Sequence, residues 1–261
     1  MPKNNPIETL YLSFCKQLLG VQKQTTNTGV LLELGLIPLY LHAKMNALKN
    51  WNRIAKLKTA NTITSQSYIN ALNNELFWPR QVQLILSEIG MLEIFLADNI
   101  CHMKIFQRLK DIFHQNSFSQ ISEQNSKLRT YKHLKTEIGF EEYIELITNE
   151  KERIMLTKFR LSNHQLMIEK GRHMNIDKEE RFCPMCPNLI EDETHFLIMC
   201  KAYKKEREKL FNEANKANRN FSQKGSLEKV KFLLTNKSTI KITSQFINKC
   251  AQLREELINK L

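Results

Sequence analysis

Glycine and proline are scarce in this chain, with seven and six residues respectively among 261. These residues make most of the tight turns that a fold of many short strands requires, so their scarcity argues against a sandwich or barrel. No alternation of apolar and polar residues is long enough to build a sheet. With 42% hydrophobic and 25% charged residues, the composition is globular and not disordered. We therefore predict an all-α protein, an irregular assembly of many helices.

Long apolar runs are also missing. No run approaches the roughly 18 residues that a membrane-spanning helix needs, and the first residues, MPKNNPIETLYLSF, lack the apolar segment of a signal peptide. We expect an intracellular protein of the nucleus, the cytoplasm or both, not a secreted one, and no membrane partner. Because intracellular thiols stay reduced, clustered cysteines are then more readily explained by metal binding than by a disulfide.

Several catalytic signatures are absent from the sequence. It contains no glycine-rich phosphate loop, no nucleophile elbow and no histidine-rich open metal site. Aspartate is rare as well, with four isolated residues at Asp98, Asp111, Asp177 and Asp192. These absences favour a binding function over an enzymatic one.

Cysteine is infrequent, but three of the six cysteines lie together in RFCPMCPNLIEDETHFLIMC. Cys183, Cys186, His195 and Cys200 follow the pattern C-x2-C-x8-H-x4-C. Two thiols separated by two residues reach one ion from a single turn, and a His and Cys five positions apart can complete a tetrahedron from a short helix. Three thiolates and an imidazole form a closed ligand set typical of one structural zinc. The alternatives are a buried cysteine pair with an unrelated histidine and, less favoured, a disulfide.

The other cysteines, Cys15, Cys101 and Cys250, are scattered singly in apolar patterns. We interpret them as small core residues.

The first part of the chain is helical with polar breaks. One apolar face recurs at helical spacing through Leu34, Leu41, Met45, Leu48, Trp51 and Ala55. Pro38 either starts the main helix or kinks it. The opposite face carries Lys49, Arg53 and Lys56, which are either solvent-facing charges or phosphate contacts.

The pattern predicts further helices at about 68–77, 82–89 and 102–113, with Trp78-Pro79 separating the first two because a residue before proline resists helix. A polar stretch at 115–126 is the preferred boundary between regions. We predict three regions: a helical region at 1–117, a helical region with the zinc motif at 118–205, and a basic helix with a packing helix at 206–261. The packing helix places Phe246, Cys250, Leu253, Leu257 and Leu261 on one stripe.

The charge is strongly positive, with a formal net charge of +12. Such a balance suits a polyanionic partner, and nucleic acid is the first candidate. The alternative is a basic surface without a specific partner.

Three segments together resemble a known family: LRTYKHLKTEIGFEEYI, LTKFRLSNHQLMIEKGRHM and ERFCPMCPNLIEDETHFLIMCKAY. They are similar to the carboxy-terminal region of non-LTR (LINE-type, jockey-like) retrotransposon proteins, including the zinc-binding motif associated with their reverse transcriptase. FCKQLLGVQKQTTNTGVLLELGLIPLYLHAKMNALKNWNRI resembles the segment after the polymerase in the same proteins. The resemblance covers most of residues 11–210, and it implies that the four motif residues are the family's zinc ligands.

The sequence departs from that family where polymerisation is concerned. Template-directed synthesis needs metal ions held by aspartates, including those of a Tyr/Phe-x-Asp-Asp turn, and this chain has no such turn. Nothing resembles the endonuclease of these elements either. The resemblance therefore implies a non-catalytic, post-polymerase part that grips RNA or DNA, largely without sequence preference, during target-primed reverse transcription.

Basic side chains that flank the motif are the expected phosphate contacts: Arg181, Lys201, Lys204, Lys205 and Arg207. The aromatic residues Phe182, Phe196 and Tyr203 either stack on bases or, as we prefer, pack around the metal unit.

Other residues near the motif carry alternatives. Arg160 and Arg172 either contact phosphate or pair with glutamates, and His164 is expected to be a hydrogen-bonded structural residue. Glu191, Asp192 and Glu193 are expected to open the ligand helix, or alternatively to accept a hydrogen bond from the ligand histidine.

Two other functions stay open. The chain could be a zinc-stabilised helical module for protein interaction whose charge is incidental, or an inert transposon-derived fragment. The sequence does not decide between RNA and DNA, and it leaves the oligomeric state unknown.

Overall fold

The structure, a computed structural model, describes residues 5–95, 102–123 and 126–260, apart from the side chain of His102. Helices dominate these residues, which confirms the predicted all-α, irregular multi-helix fold. In chain order the helices are α1 (Pro6–Leu18), α2 (Asn27–Glu33), α3 (Leu39–Ala55), α4 (Ile63–Asn73), α5 (Phe77–Glu88), α6 (His102–Ser122), α7 (Tyr143–Leu146), α8 (Glu150–Arg160), α9 (Met167–His173), α10 (Lys204–Ala217), α11 (Ser226–Thr235) and α12 (Ile240–Ile258).

One small β-hairpin interrupts the helices. Strands β1 (Phe182–Cys183) and β2 (Cys186–Ile190) pair antiparallel, with Cys183 opposite Cys186. Elsewhere in the described residues, the strand-like pairing is a single bridge between Leu34 and Phe140. The hairpin is too short to leave an alternating pattern, so the sequence did not predict it.

The described chain divides into two compact units. The first contains the described parts of Met1–Tyr11 and Ile37–Ser119, and the second contains Leu12–Leu36 and the described parts of Gln120–Leu261. The second unit therefore holds the whole zinc motif.

The core of the first unit includes the predicted apolar face of α3. Leu41, Met45, Leu48 and Trp51 are buried, and the indole N–H of Trp51 donates to the Tyr68 hydroxyl at 3.0 Å. The face does not extend back as predicted, because Pro38 directly precedes α3 and residue 34 belongs to the second unit. Pro38 thus starts the helix and does not kink it.

Two predicted helix limits in this unit are wrong. Trp78-Pro79 does not separate helices, because α5 begins at Phe77 and Pro79 lies in its first turn, where no backbone N–H is needed. α6 continues into the polar stretch at 115–126 as far as Ser122, so this stretch does not end the helix near residue 113 as predicted. Ser117 and Ile121 are both buried, so the buried face of α6 persists where the sequence becomes polar.

In the second unit, α8, α10 and α11 all pack against α12. Phe246 and Cys250 are buried on α12, which confirms that it is a packing helix, while Leu253 and Leu257 are half-buried. Cys15 is also buried as predicted. Two predicted core residues, Cys101 and Leu261, lie outside the described residues. No helix in the described part of the chain combines the length and apolarity needed to cross a membrane.

Candidate metal centre

The four residues of the motif converge on one point. Cys183 ends β1, Cys186 begins β2, and His195 and Cys200 lie at the two ends of a short π-helical turn. One ligand atom from each residue lies within 4.8 Å of the others. We call these residues the Cys3His cluster.

The sulfur spacing matches a tetrahedral metal site. The Cys200 sulfur lies 3.9 Å from the Cys183 sulfur and 3.8 Å from the Cys186 sulfur. A tetrahedron with metal–sulfur bonds of about 2.3 Å has edges of about 3.8 Å between its sulfurs. The thiols are therefore spaced as they would be around one ion, whereas a disulfide needs about 2.0 Å.

Burial also fits a metal ion. Every member of the cluster is at most 5% exposed. Neither ring nitrogen of His195 has a hydrogen-bond partner among the described residues, although both are buried. Buried polar atoms are rarely left unpaired, and a metal bond would satisfy one of these nitrogens. The donor set and its surroundings therefore fit a bound ion.

The thiols influence one another's ionisation. Hydrogen bonding with Cys200 lowers the pKa of the Cys183 thiol to about 4. The same contact raises the pKa of Cys200. One thiolate can therefore form within the cluster, and a divalent cation would favour the others.

A π-helical turn brings the last two residues of the cluster, His195 and Cys200, to the same side of the chain. Residues five apart on an α-helix point about 140° away from each other, since each residue turns by 100°. In the turn His195–Met199, the Cys200 N–H donates to the His195 carbonyl at 2.7 Å, a wider i→i+5 bond. This wider turn lets His195 and Cys200 face the same ion.

Asp192 opens this turn as predicted, since its Oδ1 accepts from the His195 backbone N–H at 2.7 Å. Its two glutamate neighbours do more than the sequence predicted. Glu191 is 1% exposed and accepts from Arg254 Nε and Nη2 at 2.7 and 2.6 Å, and from the Met167 backbone N–H at 2.7 Å. We call residues 191–194, between β2 and the π turn, the metal loop. Glu191 therefore ties the metal loop to both α9 and α12.

Glu193 ties the loop to other segments. Its carboxylate accepts from Arg129 Nη2 at 2.6 Å and from Ser162 Oγ at 3.1 Å, and lies 2.8 Å from His164 Nε2. Burial raises the pKa of Glu193, but the His164 hydrogen bond and the Arg129 charge outweigh it and hold the pKa below its usual range. His164 is thus a structural histidine, as predicted. Neither Glu191 nor Glu193 bonds the His195 ring.

The two arginines with alternative roles pair with glutamates. Arg160 is fully buried and donates to Glu33 Oε1 at 2.8 Å and to Glu141 Oε2 at 2.6 Å. Arg172 lies 3.8 Å from Glu169. Of the two alternatives, the structure therefore shows the intramolecular pair, and Arg160 is not exposed to phosphate.

Two predicted phosphate contacts serve the fold instead. Arg207 is 7% exposed and donates to the Leu197 and Phe196 carbonyls at 2.7 and 3.2 Å. Arg181 is half-buried and donates to the Ile176 and Ile168 carbonyls at 3.0 and 2.9 Å. The prediction for Arg207 is wrong because its guanidinium covers carbonyls of the ligand turn, and the Arg181 guanidinium is already engaged.

The three predicted lysines after the last ligand are exposed. Lys201 follows Cys200 directly, and Lys204 and Lys205 begin α10. The other predicted basic set, Lys49, Arg53 and Lys56, is exposed on and just after α3. The two sets belong to different units.

The aromatic residues divide between packing and exposure. Phe196 and Tyr203 are buried with ring centroids 4.9 Å apart, in agreement with packing around the metal unit. Phe182 is 39% exposed.

Sequence reasoning missed Arg129, Arg254 and Glu33 as supports of this region. Each of them pairs with a residue at least 63 positions away in the chain, so no local spacing marks the pair.

Fold and site together define an all-α protein whose second unit carries a buried Cys3His set able to hold a metal ion. Comparison with protein-family models, with curated proteins and with solved structures found no match to this chain.

Proposed function

We propose that the Cys3His cluster binds one structural zinc ion. Three sulfurs and one nitrogen, all within 4.8 Å of one another, are a ligand set that zinc prefers, and a closed set leaves no position for a reactive water. The ion would join the hairpin, whose second strand is mostly exposed, to the buried π turn. Its chemistry is therefore structural.

Native mass spectrometry tests the zinc assignment. We expect one zinc per chain in the wild type and none in Cys186→Ser. Cys250→Ser is the matched control, because Cys250 is equally buried but lies outside the cluster. Zinc retained by Cys186→Ser, or lost equally from both variants, contradicts the assignment.

We further propose that the chain is a non-catalytic nucleic-acid-binding part of a non-LTR retrotransposon reverse transcriptase protein, one that handles RNA or DNA in target-primed reverse transcription. Its motif and flanking segments support this origin through their resemblance to that family. The observation that carries the binding function is the exposure of Lys201, Lys204 and Lys205 directly after Cys200, the last residue of the Cys3His cluster. Exposed ammonium groups on a fixed support contact phosphates with little sequence preference.

Salt-dependent binding tests this function. Fluorescence anisotropy with single-stranded RNA and with duplex DNA should show affinity that falls steeply with salt. Replacing Lys201, Lys204 and Lys205 together with glutamine should reduce the slope of log K against log salt by about 2 to 3, since each phosphate contact contributes roughly 0.7–0.9.

The matched control replaces Lys49, Arg53 and Lys56 with glutamine, which removes the same charge from the first unit. If both triple variants reduce the slope equally, the binding reflects net charge and not the metal unit. Absence of binding by the wild type at low salt refutes the function.

A second candidate function is protein interaction. The observation that favours it is the exposure of Ile63 and Phe77, at the starts of α4 and α5, which are 84% and 76% exposed. A partner that covers such side chains removes their apolar surface from water, which favours association. Light scattering of the wild type and of Phe77→Glu tests self-association, which the substitution should abolish.

A further inference from the structure

A small cavity lies in the second unit beside the metal centre. It has a volume of about 190 Å³ and is more enclosed than three other cavities of the described residues. α8 contributes Met155 and Phe159 to its wall, and α12 contributes Ile247 and Ala251. Phe196, which follows the cluster residue His195, forms part of the same wall.

The cavity wall is aromatic. The Phe159 ring centroid lies 5.5 Å from that of Phe196 and 5.3 Å from that of His164. His164 is fixed by Glu193, and Arg254, another lining residue, is fixed by Glu191. The same two glutamates that hold the metal loop therefore also hold this wall.

Polar groups line the rest of the cavity. The Asn163 and Gln22 side chains bond one another at 3.2 Å, whereas the exposed Gln165 amide has no partner among the described residues. Lys158 is half-buried, and no described carboxylate pairs with its ammonium group. The exposed Glu255 carboxylate is an acceptor at the same rim. Among the described residues, the Gln165 amide and the Lys158 ammonium group of this cavity have no partner, and the Glu255 carboxylate supplies an acceptor beside its apolar wall.

The volume limits the occupant to one ring. Drug-sized ligands occupy about 300–1,000 Å³, whereas an apolar cavity of about 150 Å³ holds a benzene molecule. A six-membered ring with exocyclic oxygen or nitrogen therefore fits this cavity better than a fused ring system. A planar heterocycle beside a cation is the chemistry of a pyrimidine nucleotide.

We propose that this cavity receives one unstacked pyrimidine base of a single-stranded nucleic acid. The half-buried side chains of Met155 and Ala251 contact the ring, Gln165 and Glu255 contact its polar edge, and Lys158 contacts the adjoining phosphate. The inference rests on the proposed nucleic-acid-binding function and adds to it a base-recognition site away from the exposed lysines. Apolar contact with the ring supplies an affinity that salt does not remove.

Methionine-methyl NMR on the whole zinc-loaded protein tests the cavity directly. Titration with uridine 5′-monophosphate to millimolar concentration should shift the Met155 methyl signal in a saturable way. Met174, which is exposed at the end of α9, should not shift. Ribose 5-phosphate carries the same charge without a base and should leave Met155 unchanged. Equal shifts with both compounds, or no Met155 shift, overturn the proposal.

Filling the cavity tests its role in strand binding. Ala251→Leu places a larger side chain in the cavity, and Gln252→Leu adds the same side chain at an exposed neighbouring position of α12. With both variants melting close to the wild type, Ala251→Leu should weaken binding of a single-stranded oligouridine about tenfold, the scale of losing the contacts of one bound base. Gln252→Leu should bind as the wild type does.

The outcomes separate the two proposals. If strands bind but Ala251→Leu changes nothing, the proposed function stands and the base site is refuted. If uridine 5′-monophosphate shifts Met155 but no strand binds, the cavity takes a mononucleotide, and both the strand-binding function and the role of the cavity in it are refuted. Should Ala251→Leu fail to fold, the titration of the wild type decides.

Discussion

Arg160 shows how much of the second unit depends on single buried charges. Its guanidinium donates to Glu33, Glu141 and the Leu234 carbonyl, and both Arg160 and Glu33 are fully buried. Removing one partner of a buried ion pair leaves the other charge without compensation, which costs more than the pair contributes. The residue therefore matters for stability and not for binding an external anion.

We predict that Arg160→Met lowers the free energy of unfolding by about 3–5 kcal/mol. Adding Glu33→Gln to the same chain should recover part of this loss, because the buried charge disappears together with its partner. Urea denaturation of the wild type, both single variants and the double variant measures the coupling. Additive losses would contradict the pairing.

The loss in Arg160→Met should depend on pH. Burial raises the pKa of Glu33, and the Arg160 charge opposes that rise. A raised carboxyl pKa means that the folded protein holds its proton more tightly than the unfolded chain, so stability falls as pH rises from about 4.3 through the folded pKa. In Arg160→Met the opposing charge is gone, so the pKa of Glu33 should be raised further than in the wild type. The difference in unfolding free energy between variant and wild type should thus be greater at about pH 8 than at about pH 5.5, and a pH-independent difference would refute this.

Ligand residues and support residues differ in how well the sequence predicts them. The cysteine and histidine spacing is local, so Cys183, Cys186, His195 and Cys200 were predicted as a set, and they converge. Arg160 and Glu33 lie 127 positions apart, and no spacing rule connects them. Arg207 was predicted to contact phosphate because it is basic and flanks the motif, and a sequence does not show that its guanidinium donates to the Leu197 carbonyl.

At the scale of elements, close backbone contact between α2 and the segment before α7 positions the two glutamates around Arg160. Gly35 has a φ of +63°, and a Cβ there would lie 2.4 Å from the Phe140 backbone nitrogen. The Glu141 N–H donates to the Glu33 carbonyl at 3.0 Å beside this contact. Glycine is needed because both the backbone angle and the available space exclude a side chain.

We predict that Gly35→Ala destabilises the protein by more than about 2 kcal/mol, since a positive φ and a backbone clash act together. Gly139→Ala is the control in the same contact, because a Cβ there meets nothing within 4 Å. Thermal melting should show a large shift for the first variant and almost none for the second. Similar shifts for both would mean that the backbone contact is not formed.

α12 stabilises the metal loop through one side chain. Arg254 binds both oxygens of Glu191, and lysine cannot reproduce this two-point contact. Arg254→Lys should therefore speed zinc transfer to a colorimetric chelator on the order of tenfold. Lys249, also on α12, forms a more exposed ion pair with Glu206 of α10. Lys249→Gln removes this pair and should leave the transfer rate unchanged. Equal rates in all three proteins would contradict the role of Arg254.

Helices of the fold were predictable where an apolar face repeats, and their limits were not. The buried face of α3 follows the spacing of Leu41, Met45 and Leu48. α6 was predicted too short because a small serine, Ser117, occupies one of its buried positions. His195 and Cys200 are five residues apart, and a π turn is needed only if both bind the same ion. The sequence alone does not show that they share an ion, so it did not predict this turn.

At the scale of the whole molecule, the net charge of +12 is distributed over side chains with different roles. Arg160, Arg207 and Arg254 are buried and serve the fold, whereas Lys201, Lys204 and Lys205 face solvent. Buried glutamates such as Glu33 and Glu191 offset the buried arginines, so the net positive charge is carried by the exposed side chains. The number of phosphate contacts obtained from salt dependence should therefore report the exposed lysines that meet the strand and not the total count of basic residues.

The division into two units makes a prediction about metal removal. Both tryptophans, Trp51 and Trp78, lie in the first unit, and the Cys3His cluster lies in the second. With zinc bound as we propose, its chelation should increase hydrogen exchange in β1, β2 and the π turn, because these short elements would lose the ion that joins them. Tryptophan emission should stay unchanged, since Trp51 is held by Phe95 and Tyr68 within its own unit. Denaturant gives the emission of the unfolded first unit for comparison. A shift of the emission toward that value on chelation would mean that the metal supports both units and not the second alone.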